Sequence, residues 1–193
     1  MTIIIGYKEN DVLYFGVDSR ISSDHKVFTL SDDKIWSGNG ILFGVCGHWR
    51  AAQIVKHKFN IPERPCKMST EKYMNTVFID ELRKVFKENG YTEINNNEEK
   101  AHGAYLMIGI DNRLFNIGYD FSVLEQEDNY ICLGSGEDLA YGAMNILKDQ
   151  NLDPIDKIIK ALETACKYNS GCAPPFTIIS NNVNKSIYNK TNI

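Results

Sequence analysis

The 193-residue sequence predicts an α+β fold, a four-layer αββα sandwich with two antiparallel sheets between helical layers. Three observations predict it. The element signals come in the order strands, two helices, strands, two helices, strands. Short turn signals such as Asn10-Asp11 and Asn39-Gly40 join neighbouring strands, which makes them antiparallel. The main helical stretches carry apolar residues on one face, so that each can cover a sheet.

The elements follow in order. Residues 2–7 are β-branched and 12–17 apolar, so they read as a hairpin turning at Asn10-Asp11. Such a hairpin returns the end of its second strand, Asp18, beside the start of the first. Residues 35–36 and 41–46 form a second hairpin about Ser37-Gly38-Asn39-Gly40. A helix over 48–58 turns Trp49, Ala52, Ile54 and Val55 inward and Arg50, Lys56 and Lys58 outward. After a connector at 60–65, a second helix over 69–89 closes at Gly90, with Tyr73, Met74, Val77, Phe78, Leu82, Val85 and Phe86 on one face. Those aromatics read as core, not as a cofactor box. Residues 95–100 read as a mobile polar loop.

Strands resume at 104–110, 114–119, 122–125 and 130–133. Gly134-Ser135-Gly136 then leads into a helix through Lys148. Taken alone, this is most often a turn with Ser as N-cap, and it lacks a P-loop lysine. Asp153-Pro154 opens the last helix as N-cap and N1 proline, with Ile155, Ile158, Ile159, Leu162 and Cys166 as its buried stripe and Gly171 as its stop. Strands at 176–180 and 186–189 complete the sheets.

Composition bounds the function. One domain over 1–193 has room for a sizeable core. Hydrophobic content of 43%, charged content of 24% and a net charge of −4 argue against nucleic acid or an anionic membrane as main partner. No run approaches the ~18 apolar residues of a membrane span, and the start lacks a signal-peptide layout. The five cysteines (46, 66, 132, 166 and 172) are odd in number and lack metal-ligand spacing. They read as reduced, mostly packed thiols of a cytoplasmic protein. The sequons at Asn184 and Asn189 are therefore expected to be idle.

The chemistry gathers near the start. Removal of Met1 would leave Thr2 as an amino-terminal threonine, a hydroxyl nucleophile carrying its own base. That α-amine has an ordinary pKa of about 7.7–8.0. Asp18 follows after sixteen residues and Lys34 after sixteen more. A Lys near the hydroxyl could lower its pKa while the Asp keeps the ammonium charged. Singly, the two residues would more often be a turn cap and a surface lysine. His48 could serve catalysis, but no Ser or Cys positioned by a His–Asp pair is evident.

Thr2 after Met1, Gly16-Val17-Asp18-Ser19-Arg20, Lys34 and a Gly47 opening a helix together resemble the proteasome β-subunit and HslV group of amino-terminal nucleophile hydrolases. Matching Gly47 requires one residue fewer in the preceding hairpin. The resemblance implies Thr2 as nucleophile, Asp18 and Lys34 as charged supports, and Arg20 as a structural partner of the site loop. It implies the Gly47 N–H in the oxyanion hole and Ser135 beside the terminal amine, with Ala140-Tyr141-Gly142-Ala143 in the helix that follows. Ser170-Gly171 matches a further site motif, but Lys167 stands where the family often carries Asp. Either the cation lowers the amine's pKa or the network is broken. By the same analogy Ile21, Val45 and Trp49 shape an apolar pocket for the side chain before the cut.

The function so implied is threonine-type cleavage of peptides or unfolded protein without metal or organic cofactor. A homo-oligomeric ring would enclose the sites, and a separate unfolding ATPase could serve it. Two other readings stay open: an amide hydrolase acting on a small acyl amide, and an inactive scaffold of the same fold. A retained Met1 would favour the scaffold, because it blocks the amine.

Overall fold

Both expected amino-terminal hairpins form. In the computed structural model, which describes residues 2–23, 26–95, 98–182 and 186–188, β1 (Ile3–Glu9) and β2 (Val12–Asp18) turn through Asn10 and Asp11. Both turn residues have positive φ (50° and 60°), the type I′ conformation that matches strand twist. Arg20–Ser23 (β3) and Lys26–Thr29 (β4) make a small separate hairpin that carries no clear sequence signal. Asn39 and Gly40, also at positive φ, join β5 (Ile35–Gly38) to β6 (Ile41–Gly47). Met1, residues 96–97, Asn184 and Asn189 lie outside the described residues.

Helix α1 spans Trp49–Lys58. The single helix expected over 69–89 is instead α2 (Thr70–Tyr73), a π-helical turn (Met74–Phe78) and α3 (Ile79–Glu88), ending at Gly90 with φ 65°. The wider turn delays the apolar stripe by a residue, so Ile79 is buried while Val77 is only half-buried. Asn75 and Thr76 bond back to the carbonyls of Glu71 and Lys72 at the widening. The expected mobile loop at 95–100 is a correction: β7 (Thr92–Asn95) pairs with β8 (Glu98–Ala101). There follow β9 (Ala104–Ile110), β10 (Arg113–Ile117), β11 (Val123–Glu125), β12 (Tyr130–Gly134), α4 (Glu137–Leu147), α5 (Pro154–Tyr168), β13 (Phe176–Ser180) and β14 (Ser186–Tyr188). Asp153 caps α5 as expected, accepting the Ile155 N–H at 2.9 Å.

Two five-stranded antiparallel sheets result, ordered β12-β1-β2-β13-β14 and β11-β10-β9-β6-β5. Three apolar clusters fill the molecule. The first joins the β6–β9–β10 face to α1 and α3, through Phe43, Ile54, Phe78 and Phe86. The second joins β1 and β12 to α4 and α5, through Ile3, Ile5, Met144 and Leu162. The third, around Ile4, Phe15, Leu42, Met107 and Leu133, draws on both sheets. Among the described residues no helix is long and apolar enough to cross a membrane.

One charged group lies inside the second cluster's helix stripe. Lys157 of α5 is buried, and its ammonium meets Glu9 Oε1 at 2.6 Å, Tyr7 Oη at 3.2 Å and the Lys148 carbonyl at 3.2 Å. Burial pushes the Glu9 carboxyl up, but hydrogen bonds from Lys157 and Tyr7 and the ammonium charge outweigh it and hold the carboxyl below its ordinary value. The stability from this lowered pKa is present above the unfolded value of about 4.3 and is lost as pH falls through the folded one. Glu9→Gln is therefore expected to cost about 1–3 kcal/mol at neutral pH. The deficit should shrink as pH falls through that lowered folded value, below which the wild-type carboxyl is protonated too. Urea unfolding of both proteins at neutral pH and below that value tests this, and an unchanging deficit would refute the charge assignment.

Candidate active site

The carboxylate at the end of β2 organises its surroundings. Because Ile4 pairs with Val17, the next residue outward on β2, Asp18, stands beside Ile3. Its Oδ1 accepts the Ile3 N–H at 3.0 Å and the Lys34 ammonium at 2.9 Å. Its Oδ2 accepts the Arg20 N–H at 3.0 Å and the Ala173 N–H at 3.3 Å. Asp18 is 1% exposed and Lys34 3%. A charge pair so far from water persists only when its remaining hydrogen-bonding capacity is also met. Lys34 donates again to the Arg20 carbonyl at 2.6 Å, and Arg20 Nη1 donates to the Ser170 carbonyl at 2.7 Å. Asp18, Arg20 and Lys34 thus come together as one network.

Thr2, which precedes the Ile3 amide held by Asp18, is itself buried. Its N–H donates to Ser135 Oγ at 3.3 Å, and the same hydroxyl approaches the Thr2 carbonyl at 3.3 Å. Ser135 does not cap α4; the capping position is Gly136, with no side-chain cap. The hydroxyl is therefore left to face Thr2. Gly134 makes this approach feasible: its φ is 113°, and a Cβ there would lie 2.3 Å from the Thr2 carbonyl oxygen.

Gly47 lies at the end of β6. The Val45 N–H donates to the Lys34 carbonyl at 3.0 Å, which sets this end of the strand beside the charge pair. Gly47 has φ 98°, and a Cβ would meet the Gly103 carbonyl at 2.0 Å, so no other residue fits this backbone. The first turn of α1 follows with no side-chain cap, leaving a partial positive end. His48 turns elsewhere, its ring 5.2 Å from that of His102 and edge-on to Tyr91. Burial pushes the neighbouring Cys46 thiol up to about 12, so it stays protonated and packs as an apolar group.

The other expected residues divide. Val45 is buried in the first cluster with Trp49 packed against it, whereas Ile21 stands on the separate β3–β4 hairpin. Ser170 is exposed and contributes its backbone carbonyl to Arg20. Lys167 is exposed as well, its ammonium over the Tyr168 ring at 5.4 Å.

Two residues near Ser135 escaped the sequence reading. Asn169 ends α5, donating its amide to the Ser135 carbonyl and accepting the Gly171 N–H at 2.8 Å. It stops the helix in place of the expected Gly171. Cys172, buried, places its sulfur 3.8 Å from Ser135 Oγ and 3.8 Å from Asn169 Oδ1. The Asn169-Ser170-Gly171 string is an Asx-turn signal and could have pointed to the first.

A threonine backbone held by a serine, a buried carboxylate–ammonium pair and a glycine-ended strand leading into a helix are parts suited to nucleophilic acyl chemistry. Solved structures share the fold. BPH of Thiobacillus denitrificans, in complex with epoxomicin, matches with TM-score 0.76 at 15% identity over 92% of this chain and 97% of that one. HslV of Trypanosoma brucei matches with TM-score 0.66 at 17% identity, covering 92% and 98%. Anbu, an ancestral β-subunit, from Yersinia bercovieri matches with TM-score 0.67 at 13% identity, covering 98% and 87%. At these identities the likeness is one of fold. No protein-family profile matches the chain, and no curated protein does.

Proposed function

We propose that the chain is a threonine-type peptidase whose nucleophile is Thr2, freed by removal of Met1. The observation that carries the reading is the clamp on the start of β1, where Ser135 holds Thr2 and the Lys34-paired Asp18 holds Ile3. The Thr2 amine takes the hydroxyl proton and the oxygen attacks a peptide carbonyl. The Lys34 ammonium, paired with Asp18, favours the alkoxide. The Gly47 N–H and the start of α1 receive the oxyanion. Collapse expels the amine product, and water cleaves the remaining ester. Ser135 orients the amine, Arg20 braces the turn at Ser170, and Val45, Trp49 and Ile21 form the pocket before the cut.

In this reading residues 1–193 are one domain, and the three apolar clusters are the interiors of a four-layer αββα sandwich. The same reading takes the protein as a cytoplasmic homo-oligomeric ring that degrades unfolded protein, served by a separate ATPase. Intact mass before and after treatment with a peptide epoxyketone tests the reading, because that electrophile needs a hydroxyl and a free amine on one residue. Loss of Met1 and one adduct per chain on Thr2 is expected. Retained Met1 without an adduct would replace the peptidase with the scaffold reading.

A further inference from the structure

The thiol of Cys172 lies between two residues of the site. Its sulfur is 3.8 Å from Ser135 Oγ and 3.8 Å from Asn169 Oδ1, and the residue is 1% exposed. Gly136 leaves room for that approach, since a Cβ there would stand 3.2 Å from the sulfur. No step of the peptidase mechanism uses this buried group.

The contacts of Asn169 decide which atom donates in each pair. Its side-chain nitrogen donates to the Ser135 carbonyl, and its Oδ1 accepts the Gly171 N–H at 2.8 Å. Both contacts fix the carboxamide the same way round, so Oδ1 meets Cys172 as an acceptor. The thiol proton therefore points at Asn169. The sulfur is left with lone pairs for Ser135, whose hydroxyl is then the donor of that pair. The other place for the hydroxyl proton, the Thr2 carbonyl at 3.3 Å, is an acceptor too. Either way, lone pairs of Ser135 Oγ meet the Thr2 nitrogen, which donates its N–H at 3.3 Å.

We propose that Cys172 is a positioning residue that, with Asn169, holds Ser135 as an acceptor toward Thr2 and so leaves the lone pair of the terminal amine free to act as base. The effect on catalysis rests on the peptidase reading above, while the direction of the hydrogen bonds does not.

A serine hydroxyl beside an amine has two choices. By accepting an amine N–H it stabilises the ammonium formed when the Thr2 hydroxyl gives up its proton. By donating to the nitrogen it ties up the lone pair, favours the neutral amine and lowers its pKa. Sulfur is a weak acceptor, so what it adds is direction rather than strength. Cys172→Ala removes the sulfur and lets the Ser135 hydroxyl turn to the amine.

The test follows epoxyketone labelling of Thr2 by intact mass from about pH 5 to 9, in the wild type, Cys172→Ala and Cys172→Ser. In the alanine variant the midpoint of the rise in rate with pH is expected to fall by about 0.5–1 unit and the plateau by about 3–10-fold. The serine variant, whose hydroxyl can donate to Asn169 and accept from Ser135, should recover most of both. Asp18, Arg20, Lys34 and Glu137, whose Oε2 holds the Gly134 N–H at 3.0 Å, are the same in all three proteins, so a moved midpoint reports the amine. A lower plateau with an unmoved midpoint means packing alone and overturns the proposal, as does an alanine variant that behaves like wild type. Should wild-type Thr2 take no label, the peptidase reading fails by itself. The Raman S–H band of Cys172, identified by its loss in Cys172→Ser, then decides the direction. A shift to higher frequency in Asn169→Ala supports a thiol that donates to Asn169, and an unmoved band sinks it.

Discussion

Thr2→Ala is expected to abolish peptide cleavage while leaving the protein folded. The contacts that seat this residue are its backbone N–H and carbonyl against Ser135, and alanine keeps both. What it loses is the hydroxyl, the atom that would form the new bond. Removal of a nucleophile acting with its base lowers turnover by about 10⁴-fold or more. Cleavage of an unstructured peptide should fall to background, with circular dichroism and the urea midpoint close to wild type. Cleavage surviving in the variant would mean that another residue attacks, and the mechanism above would be wrong.

Asp18→Ala should give the largest loss of stability. It removes the acceptor of four hydrogen bonds and leaves the Lys34 ammonium, 3% exposed, with only the Arg20 carbonyl. Breaking a buried pair from one side costs about 3–5 kcal/mol. Adding Lys34→Met should recover part of that, since no unpaired charge then remains, although the amides of Ile3, Arg20 and Ala173 stay orphaned. Urea unfolding of the single and double variants measures the recovery. A double variant less stable than Asp18→Ala alone would show that the ammonium is held by something other than this carboxylate.

The parts of the site legible in the sequence were those set by local hairpins. Asn10-Asp11 defines the β1–β2 turn, and so the return of Asp18 to Ile3. Asn39-Gly40 does the same for Gly47. Ser135 was legible only through resemblance, since a Ser before a helix ordinarily reads as a cap. Asn169 and Cys172 act through contacts with Ser135, 34 and 37 positions away; the Asx-turn signal at 169–171 announces a turn but not that partner. Lys157 has no place in the stripe read for α5, because its partner, Glu9, is 148 positions away. The β3–β4 hairpin escaped because β4 is exposed along its whole length and lacks inside–outside alternation. The π-helical turn escaped because its apolar spacing still passes for an ordinary helix.

The sheet order also governs when the site can exist during synthesis. The β1–β2 hairpin is made first but lies in the middle of its sheet, between β12 and β13. Ser135 is translated 133 residues after Thr2, and Ala173 155 residues after Asp18. Domains fold as units while the chain is synthesised from its amino-terminal end, so Thr2 emerges from the ribosome long before its clamp. If Thr2 attacks peptide bonds as proposed, that nucleophile is thus unassembled while the newborn polypeptide beside it is still unfolded, a delay imposed by strand order alone.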